Sequence, residues 1–508
     1  MATKNRNAYR AFLLLSFLGV NMLILFGIGS AWSYLNTGAD RSTMLHLESQ
    51  LNETYLPKVI WSDTLGEGRP LEKQTLTKIE KDYKRAWYVR NLAYRNQNDY
   101  GLDDYYTDSA LIKFKRILDL NKASGVKIKS TTISHNPDLE FYSADGQLVV
   151  FKDNNVASYS QIYRNDSLFL EHKSTANYRV IMLLEDGFWR IRHLQEIPSV
   201  LQDGIAENDS NKLPIDFTKI RGVNYYPQKN PWDMFGENFD SLVVRKDFER
   251  IRKMGLNMVR IFVPYENFGK NIIDQNKLKQ LKNVMNIALE TDLKVMVTLF
   301  DFYGNYDIDD WTLTHRHAEI VVNSLKNHKA LLAWDVKNEP DLDFDSRGFT
   351  TVTAWLKEMI AQIKSWDPEH DVTIGWSSTE AATNLTEEVD LVSFHYYKKP
   401  EDFVKAYHQL QDKVNNKPFM LQEYGLSSYS GVWNAFSGSE EKQAAYYKQM
   451  QEYISQENLP FVFWTLYDFN EVPTSVVGRL PWRKTPQRHY GCINEEGNPK
   501  PSYQFLKQ

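Results

Sequence analysis

At 508 residues, with 42% hydrophobic and 25% charged residues, the chain is long enough for two or three globular units and has the composition of folded protein. A formal net charge of −5 provides no electrostatic footprint for a nucleic-acid partner. The single cysteine, Cys492, excludes an internal disulfide framework and any metal site built from several cysteines, so the compartment has to be read from the N-terminus.

Residues 11–35, AFLLLSFLGVNMLILFGIGSAWSYL, carry no charge over 25 positions, enough for a helix to cross a hydrocarbon core of roughly 30 Å. Lys4, Arg6 and Arg10 precede this run and no acidic residue occurs before Asp40. The positive-inside rule then makes residues 1–10 a cytoplasmic tail and places the rest outside the cytoplasm, in a periplasm or beyond the cell. Gly29-Ser30-Ala31 offers a peptidase site, but the apolar run exceeds the ~7–15 residues of a signal-peptide core, which favours an uncleaved transmembrane anchor. Residues 36–70 show little apolar periodicity, end in Gly66-Glu67-Gly68-Arg69-Pro70, and read as a tether.

From residue 71 the pattern changes. Leu76, Ile79, Tyr83 and Trp87 recur at helical spacing and predict an amphipathic helix to about residue 97. Shorter helical pieces run to Leu120, followed by strand-like runs VKIKSTTIS, LEFYS, QLVVFK, YSQIYR, YRVIMLLE and FWRIRHL between Asn, Asp and Gly turns. One long helix before a curved antiparallel sheet, closing on residues 186–192, DGFWRIR, resembles the cystatin-like α+β cone of SnoaL-type and nuclear-transport-factor-like domains over residues 71–196. No convergent set of acids and histidines is evident there, so the resemblance implies a spacer or a docking surface for a protein partner. Residues 197–216, with Pro198, Gly204 and the polar run 207–211, read as an interdomain linker.

Residues 217–508 follow one rhythm. The strand candidates are IRGVNYY, MVRIFVPYE, KVMVTLFDF, LLAWDVKNE, VTIGWSS, LVSFHYY, PFMLQEYG and FVFWTLYDF, and most intervals hold a helix. In the interval 278–290, Leu281, Val284, Met285 and Ala288 fall at i, i+3, i+4 and i+7, and Gly255 sits where a helix ending near Met254 needs its C-cap. The fifth interval, 379–389, is too short for a clear helix. This alternation over about 290 residues matches a (β/α)₈ TIM barrel. A doubly wound sheet would carry a Gly-rich phosphate loop after its first strand, and residues 221–226, RGVNYY, are not one.

Reactive groups of such barrels project from the C-terminal strand ends. Read in order, those ends carry Asn224 and Tyr225, Arg260 and Glu266, Asp301 and Tyr303, Asn338 and Glu339, His395 and Tyr397, Glu423, and Trp464. Glu339, in Asn338-Glu339-Pro340, and Glu423, in Gln422-Glu423-Tyr424, fall on the fourth and seventh strands and face each other across the mouth. The arrangement resembles the clan A glycoside hydrolases of the family 5 and family 2 type. The resemblance implies that Glu339 is the acid/base and Glu423 the nucleophile. It implies further that Arg260 and Tyr397 lie beside Glu423, that Asn338 meets a sugar hydroxyl, and that Trp464 forms a platform under the ring. The ending 491–503, GCINEEGNPKPSY, is similar to the closing segment of that clan.

Other residues have weaker warrants. His395 is a further substrate-site candidate, and Trp232, Trp311, Trp376, Trp433 and Trp482 lie in or near loops able to line a sugar cleft. Asp307, Asp309 and Asp310 are expected to be a solvated loop rather than a cation cage, which takes six to eight oxygens. Strict alternation would put Asn338 and Glu339 on opposite faces, so both serve the mouth only if the strand breaks there. The chain is therefore expected to be a membrane-anchored retaining β-glycosidase that needs no cofactor or metal and attacks a β-linked oligo- or polysaccharide, glucan or mannan, internally. A transglycosylase or editing hydrolase of exported polysaccharide, and an inactive glycan-binding scaffold, are the competing readings.

Overall fold

The computed structural model describes residues 16–28, 55–62, 66–198, 216–414, 416–477 and 480–508. The chain divides into two compact units between Tyr55 and Leu56. In the first, residues 16–28 form a helix with Phe17, Met22, Leu23, Leu25 and Phe26 all exposed. The remainder of the expected span, residues 11–15 and 29–35, lies outside the described residues, as do the tail 1–10 and most of the linker. The expected transmembrane helix is not borne out: no helix among the described residues is long and apolar enough to cross a membrane.

The second unit begins with a helix-on-sheet layer. Helix α1 (Lys73–Asn96) buries Ile79, Tyr83, Ala86, Trp87 and Ala93 as one stripe, and α2 (Leu102–Tyr105) and α3 (Asp108–Ala123) follow. The sheet has seven strands: β1 (Lys58–Val59), β2 (Glu67–Gly68), β3 (Val126–His135), β4 (Pro137–Tyr142), β5 (Leu148–Arg164), β6 (Ser167–Glu185) and β7 (Phe188–Ile197).

Three features depart from expectation. QLVVFK and YSQIYR are halves of one bent strand, because residues 153–155, Asp-Asn-Asn, form a bulge rather than a turn, with Asn155 at φ 51° and the pairing to β6 shifting between Asp153 and Val156. The first half of β5 pairs with β4 and the second with β3, which curves the sheet. Part of the expected tether also belongs to this layer, since β1 pairs with β3 and β2 with β4. Finally, acid and histidine do converge here: Asp153 accepts from Tyr83 Oη at 2.7 Å and lies 2.6 Å from His135 Nδ1, all three fully buried beneath α1.

The rest is a closed barrel of eight parallel strands: β8 (Arg221–Asn224), β9 (Met258–Pro264), β10 (Lys294–Asp301), β11 (Leu331–Asn338), β12 (Asp371–Trp376), β13 (Val392–Tyr396), β14 (Phe419–Tyr424) and β15 (Phe461–Phe463). Helices fill most intervals, while the fifth holds only the 3-10 turn Ala381–Thr383. Met258, Met296, Ala333, Met420 and Val462 form an apolar plug at the N-terminal end of the strands. Two residues further along, the inward positions turn polar at Arg260, Thr298, Asp335 and Gln422, while the equivalent position after β15 is the aromatic Trp464. The barrel therefore closes on carbon at the bottom and on hydrogen bonds at the top.

The two layers of this unit share one core, because Tyr159 of β5 stacks on Trp311 after β10 with centroids 4.4 Å apart. Lys173 pairs with the buried Glu358 at 2.6 Å, Arg95 pairs with Asp309, and Leu56 N–H donates to Thr312 Oγ1 at 2.9 Å.

Gly255 caps the helix Ser241–Lys253 at φ +82°, where an added Cβ would sit 2.3 Å from the Gln508 carbonyl. Gly255→Ala is therefore expected to lower unfolding free energy by about 1–2 kcal/mol in a urea titration, with more lost if the C-terminal contact breaks. An unchanged midpoint would refute the capping argument.

Candidate active site

The position of Glu339 follows from a break in β11. Register against β12 shifts between Asp335 and Asn338, and Glu339 leaves the strand in the left-handed region at φ 46°, ψ 51° before the turn Pro340–Asp343. The break removes the conflict that strict alternation poses, so Asn338 and Glu339 both reach the mouth. The Glu339 N–H donates to the Gly375 carbonyl on β12 at 2.6 Å, which anchors the turn. A second register shift, between Phe394 and His395, sets His395 level with Glu423 on β14.

A carboxylate oxygen of Glu339, one of Glu423 and a ring nitrogen of His395 lie within 4.8 Å of one another. Tyr397 Oη donates to Glu423 Oε1 at 2.5 Å and Arg260 Nη1 to Oε2 at 3.2 Å, so both carboxylate oxygens are held. Arg260 is fully buried and extends further: Nη2 and Nε meet Asp335 Oδ2 at 2.6 and 3.0 Å, Nε also meets Thr298 Oγ1 at 3.1 Å, Nη1 donates to Asn224 Oδ1 at 3.0 Å, and Nη2 to Asn338 Oδ1 at 2.9 Å. Because Arg260 takes the Asn338 oxygen, the amide NH2 is the group left to meet a sugar hydroxyl.

Proton placement follows from the hydrogen bonds. Gln422 Nε2 donates to Met296 Sδ, leaving Oε1 to accept from His395 Nε2 at 3.3 Å. With Nε2 carrying a proton, the 2.8 Å bond between His395 Nδ1 and Glu339 Oε1 contains one more, held either as Glu339 carboxylic acid against neutral imidazole or as carboxylate against imidazolium. Burial raises the Glu339 carboxyl, but the His395 hydrogen bond and charge outweigh it and hold the group below the usual carboxylate range. Burial lowers His395, yet Glu423 and Glu339 hold it above its ordinary value. Burial pushes Glu423 up despite His395 and Arg260. In both proton positions the pair stores one proton next to Glu339.

Asn338, Glu339, Tyr397, Glu423 and Trp464 line a cavity of about 560 Å³, with Arg260 and His395 buried behind it. Trp232 and Phe302 share its wall, and with Glu339 they are three non-glycine residues held at φ 63°, 59° and 46°. Asp301 and Lys337 were not assigned a firm role by sequence. Asp301 accepts from Tyr226 Oη at 3.1 Å and is pushed by burial up to about 6, while burial pushes the Lys337 ammonium down; both line the cavity. Asp335 and Gly375 went unrecognised. Asp335 had a signal, a lone charge inside LLAWDV matching the lone Arg260 inside MVRIFV. Gly375 had none: a Cβ there would lie 2.4 Å from Gln422 Oε1 and 2.8 Å from Arg260 Nη2.

The remaining candidates fall elsewhere. Glu266 is exposed and pairs with Lys270 at 2.8 Å. Asp307 accepts from the Asp309 N–H, Asp309 pairs with Arg95, and Asp310 accepts from Tyr303 Oη, so this cluster is engaged in local contacts. Tyr225 donates outward to Asp247 at 2.8 Å. Trp311 and Trp376 are core residues, and Trp433 packs on Trp482 with centroids 6.1 Å apart. Glu339, His395 and Glu423 are geometrically close enough to hold a cation, but the Arg260 guanidinium on Glu423 and the hydrogen bond between the other two already occupy them.

The eight-stranded parallel barrel carries paired glutamates at the ends of its fourth and seventh strands, the layout expected of clan A glycoside hydrolases. Residues 222–470 match the family described as cellulase (glycosyl hydrolase family 5). The chain is also 27% identical over 291 residues to Homo sapiens beta-glucuronidase, over 53% of this chain and 41% of that protein. It thus spans about two fifths of the length of that relative. Among solved structures, a GH5_18 protein of Streptomyces cattleya in complex with GlcNAc is 15% identical with a TM-score of 0.46, over 57% of this chain and 79% of that one. The exo-beta-1,4-mannosidase Op5Man5 of an Opitutaceae bacterium is 16% identical with a TM-score of 0.47, over 57% of this chain and 58% of that one.

Removing the buried partner of Arg260 leaves an uncompensated charge. Asp335→Asn is expected to cost about 3–5 kcal/mol, and a thermal melt within a degree of wild type would refute the network. Asp301 gives a pH signature. An unfolded aspartate ionises near pH ~4, whereas the folded one keeps its proton to about 6, so ionisation favours unfolding as pH rises between those values. Asp301→Asn is therefore expected to match wild type at pH 4 and to gain on it by on the order of 2–3 kcal/mol by pH 7. Melts at intervals across that range read the difference.

Proposed function

We propose that the barrel is a retaining β-glycosidase with Glu339 as acid/base and Glu423 as nucleophile, acting by internal attack on a β-linked glucan or mannan. The observation that carries this reading is that one carboxylate oxygen of Glu339 and one of Glu423 lie within 4.8 Å of each other, which fits the ~5–5.5 Å of double displacement better than the ~6.5–9.5 Å of inversion.

In the first step Glu423 attacks the anomeric carbon while Glu339 passes its proton to the departing glycosidic oxygen, leaving a glycosyl ester on Glu423. In the second, Glu339 takes a proton from water, the hydroxide oxygen attacks the same carbon, and the ester bond breaks to restore Glu423. The proton that Glu339 passes on is the one it shares with His395 Nδ1 at 2.8 Å, and the proton taken from water in the second step restores it. Arg260 and Tyr397 orient Glu423 and stabilise it as a carboxylate, both before attack and as it leaves the sugar.

The similarity to beta-glucuronidase supports a second substrate, a β-glucuronide, with Lys337 as its cationic partner. The wall favours a neutral sugar instead, because Asp301 and Asp343 line the same cavity around that single ammonium and would repel a second carboxylate. The exposed apolar helix at residues 16–28, within a longer uncharged run, supports membrane anchoring with the catalytic unit outside the cytoplasm.

Glu339→Ala is expected to lose about 10²–10⁴-fold on substrates with poor leaving groups and much less on activated aryl β-glycosides, with azide restoring turnover as the β-glycosyl azide. Glu423→Ala should fall to background and, with azide, yield the α-glycosyl azide. Product anomers read by NMR decide the matter: retained activity in both variants, or swapped anomers, would overturn the assignment. Comparing aryl β-glucosides, β-mannosides and β-glucuronides on the wild type separates the two substrates.

A further inference from the structure

Beside the catalytic cavity lies a second one, of about 240 Å³, where the N-terminal sheet meets the barrel. From the sheet it takes Lys129, Gln161 and Tyr163, and from the segments after β10 and β11 it takes Asn305, Ser346 and Arg347. The two cavities are next to each other along both segments: Gly304 lines the first and Asn305 the second, and Asp343 lines the first and Ser346 the second. One hydrogen bond, Tyr306 Oη to Asp343 Oδ2 at 2.5 Å, forms the partition between them.

The lining is mostly amide, hydroxyl, ammonium, guanidinium and carboxylate around the rings of Tyr163, Tyr306 and Trp311, with Ile308 its one aliphatic member. Such a surface offers an apolar ligand little and suits one with hydroxyls on its edges and C–H bonds on its faces. The groups are also held in place. Tyr163 Oη donates to Gln161 Oε1 at 3.0 Å, Gln161 Nε2 donates to Glu171 Oε1 at 3.0 Å, and Lys129 stands 3.8 Å from Asp307. The stack of Tyr159 on Trp311 holds the sheet, and the Arg95–Asp309 pair holds α1, against the segment that supplies Asn305.

We infer that this crevice is a distal glycan subsite, in which the N-terminal sheet holds sugar units of the same chain whose scissile bond lies at Glu339 and Glu423. The inference rests on the glycosidase reading and extends it, giving the accessory sheet a share in substrate binding. The ligand is a neutral oligosaccharide segment that runs from the catalytic cavity over the Tyr306–Asp343 partition. The sheet then sets a preference for chain length and leaves the chemical step unchanged.

The test uses the full chain, with Tyr163→Ala and Arg347→Ala as separate variants, on cello- and manno-oligosaccharides of two to six units and on an aryl β-glycoside. The wild type should gain in kcat/KM with length, and each variant should lose about tenfold on the hexasaccharide, the equivalent of one stacking or charge-assisted contact, with the aryl glycoside rate unchanged. A wild type with no length dependence, variants that keep it, or an equal loss on the aryl glycoside would overturn the subsite. Failure of the glycosidase reading has a different signature, absence of turnover on every substrate by the wild type. In that event, calorimetry of the hexasaccharides against wild type and Tyr163→Ala decides the crevice on its own: weaker binding by the variant supports it, equal or absent binding refutes it.

Discussion

The ion pair of Arg260 and Asp335 inside the barrel is the constraint from which the site is built. Both side chains are fully buried, and neither would be tolerated there alone. Together they place a planar fork of five donors at the barrel axis, and those donors reach four different strands: Asn224 on β8, Thr298 on β10, Asp335 and Asn338 on β11, and Glu423 on β14. Asp335 uses its other oxygen to accept the Gly375 N–H at 3.0 Å, which ties in β12. A hydrocarbon plug of similar volume would close the barrel as well. It would leave Glu423 without its cationic partner.

That constraint explains which parts of the site were legible in the chain. The placement of Glu339 and Glu423 at facing strand ends could be read because barrel strands can be counted and each glutamate ends an apolar run. Arg260, Asn338, His395, Tyr397 and Trp464 followed from the same strand ends, and all of them converge on one cavity or its inner wall. Gly375 could not be read, because its requirement is an absence of volume that exists only once Arg260 and Gln422 are folded against it. Asp301 could be placed at its strand end, but its upward shift, and Lys337 altogether, were illegible for a related reason: both depend on burial and mutual charge, which spacing does not encode.

The N-terminal layer was read with less success, and the misreadings share a cause. Asp153-Asn154-Asn155 has turn composition, yet long pairing of β5 with β6 overrides it and the residues become a bulge. Residues 58–59 and 67–68 lack periodicity because two-residue strands have none, and their pairing depends wholly on β3 and β4 already being in place. The dyad of His135 and Asp153 was missed because its members come from different strands and meet only across the sheet curvature. In each case a tertiary partner decided what local sequence left open.

Strain and polarity are concentrated at the same end of the barrel. The left-handed residues Trp232, Phe302 and Glu339, the buried charges and the proton shared by His395 and Glu339 all lie at the C-terminal mouth. The bottom plug of Met258, Met296, Met420 and Val462 is uncharged and apolar. Conformations costing on the order of 1–3 kcal/mol each persist only where surrounding structure over-determines them. Here the surroundings are the Arg260 fork inside and the N-terminal sheet outside, which braces the loop after β10 through Tyr159 on Trp311. A barrel alone would hold its catalytic strands. The loops that define the rim need a second wall, and the bent β5 supplies it.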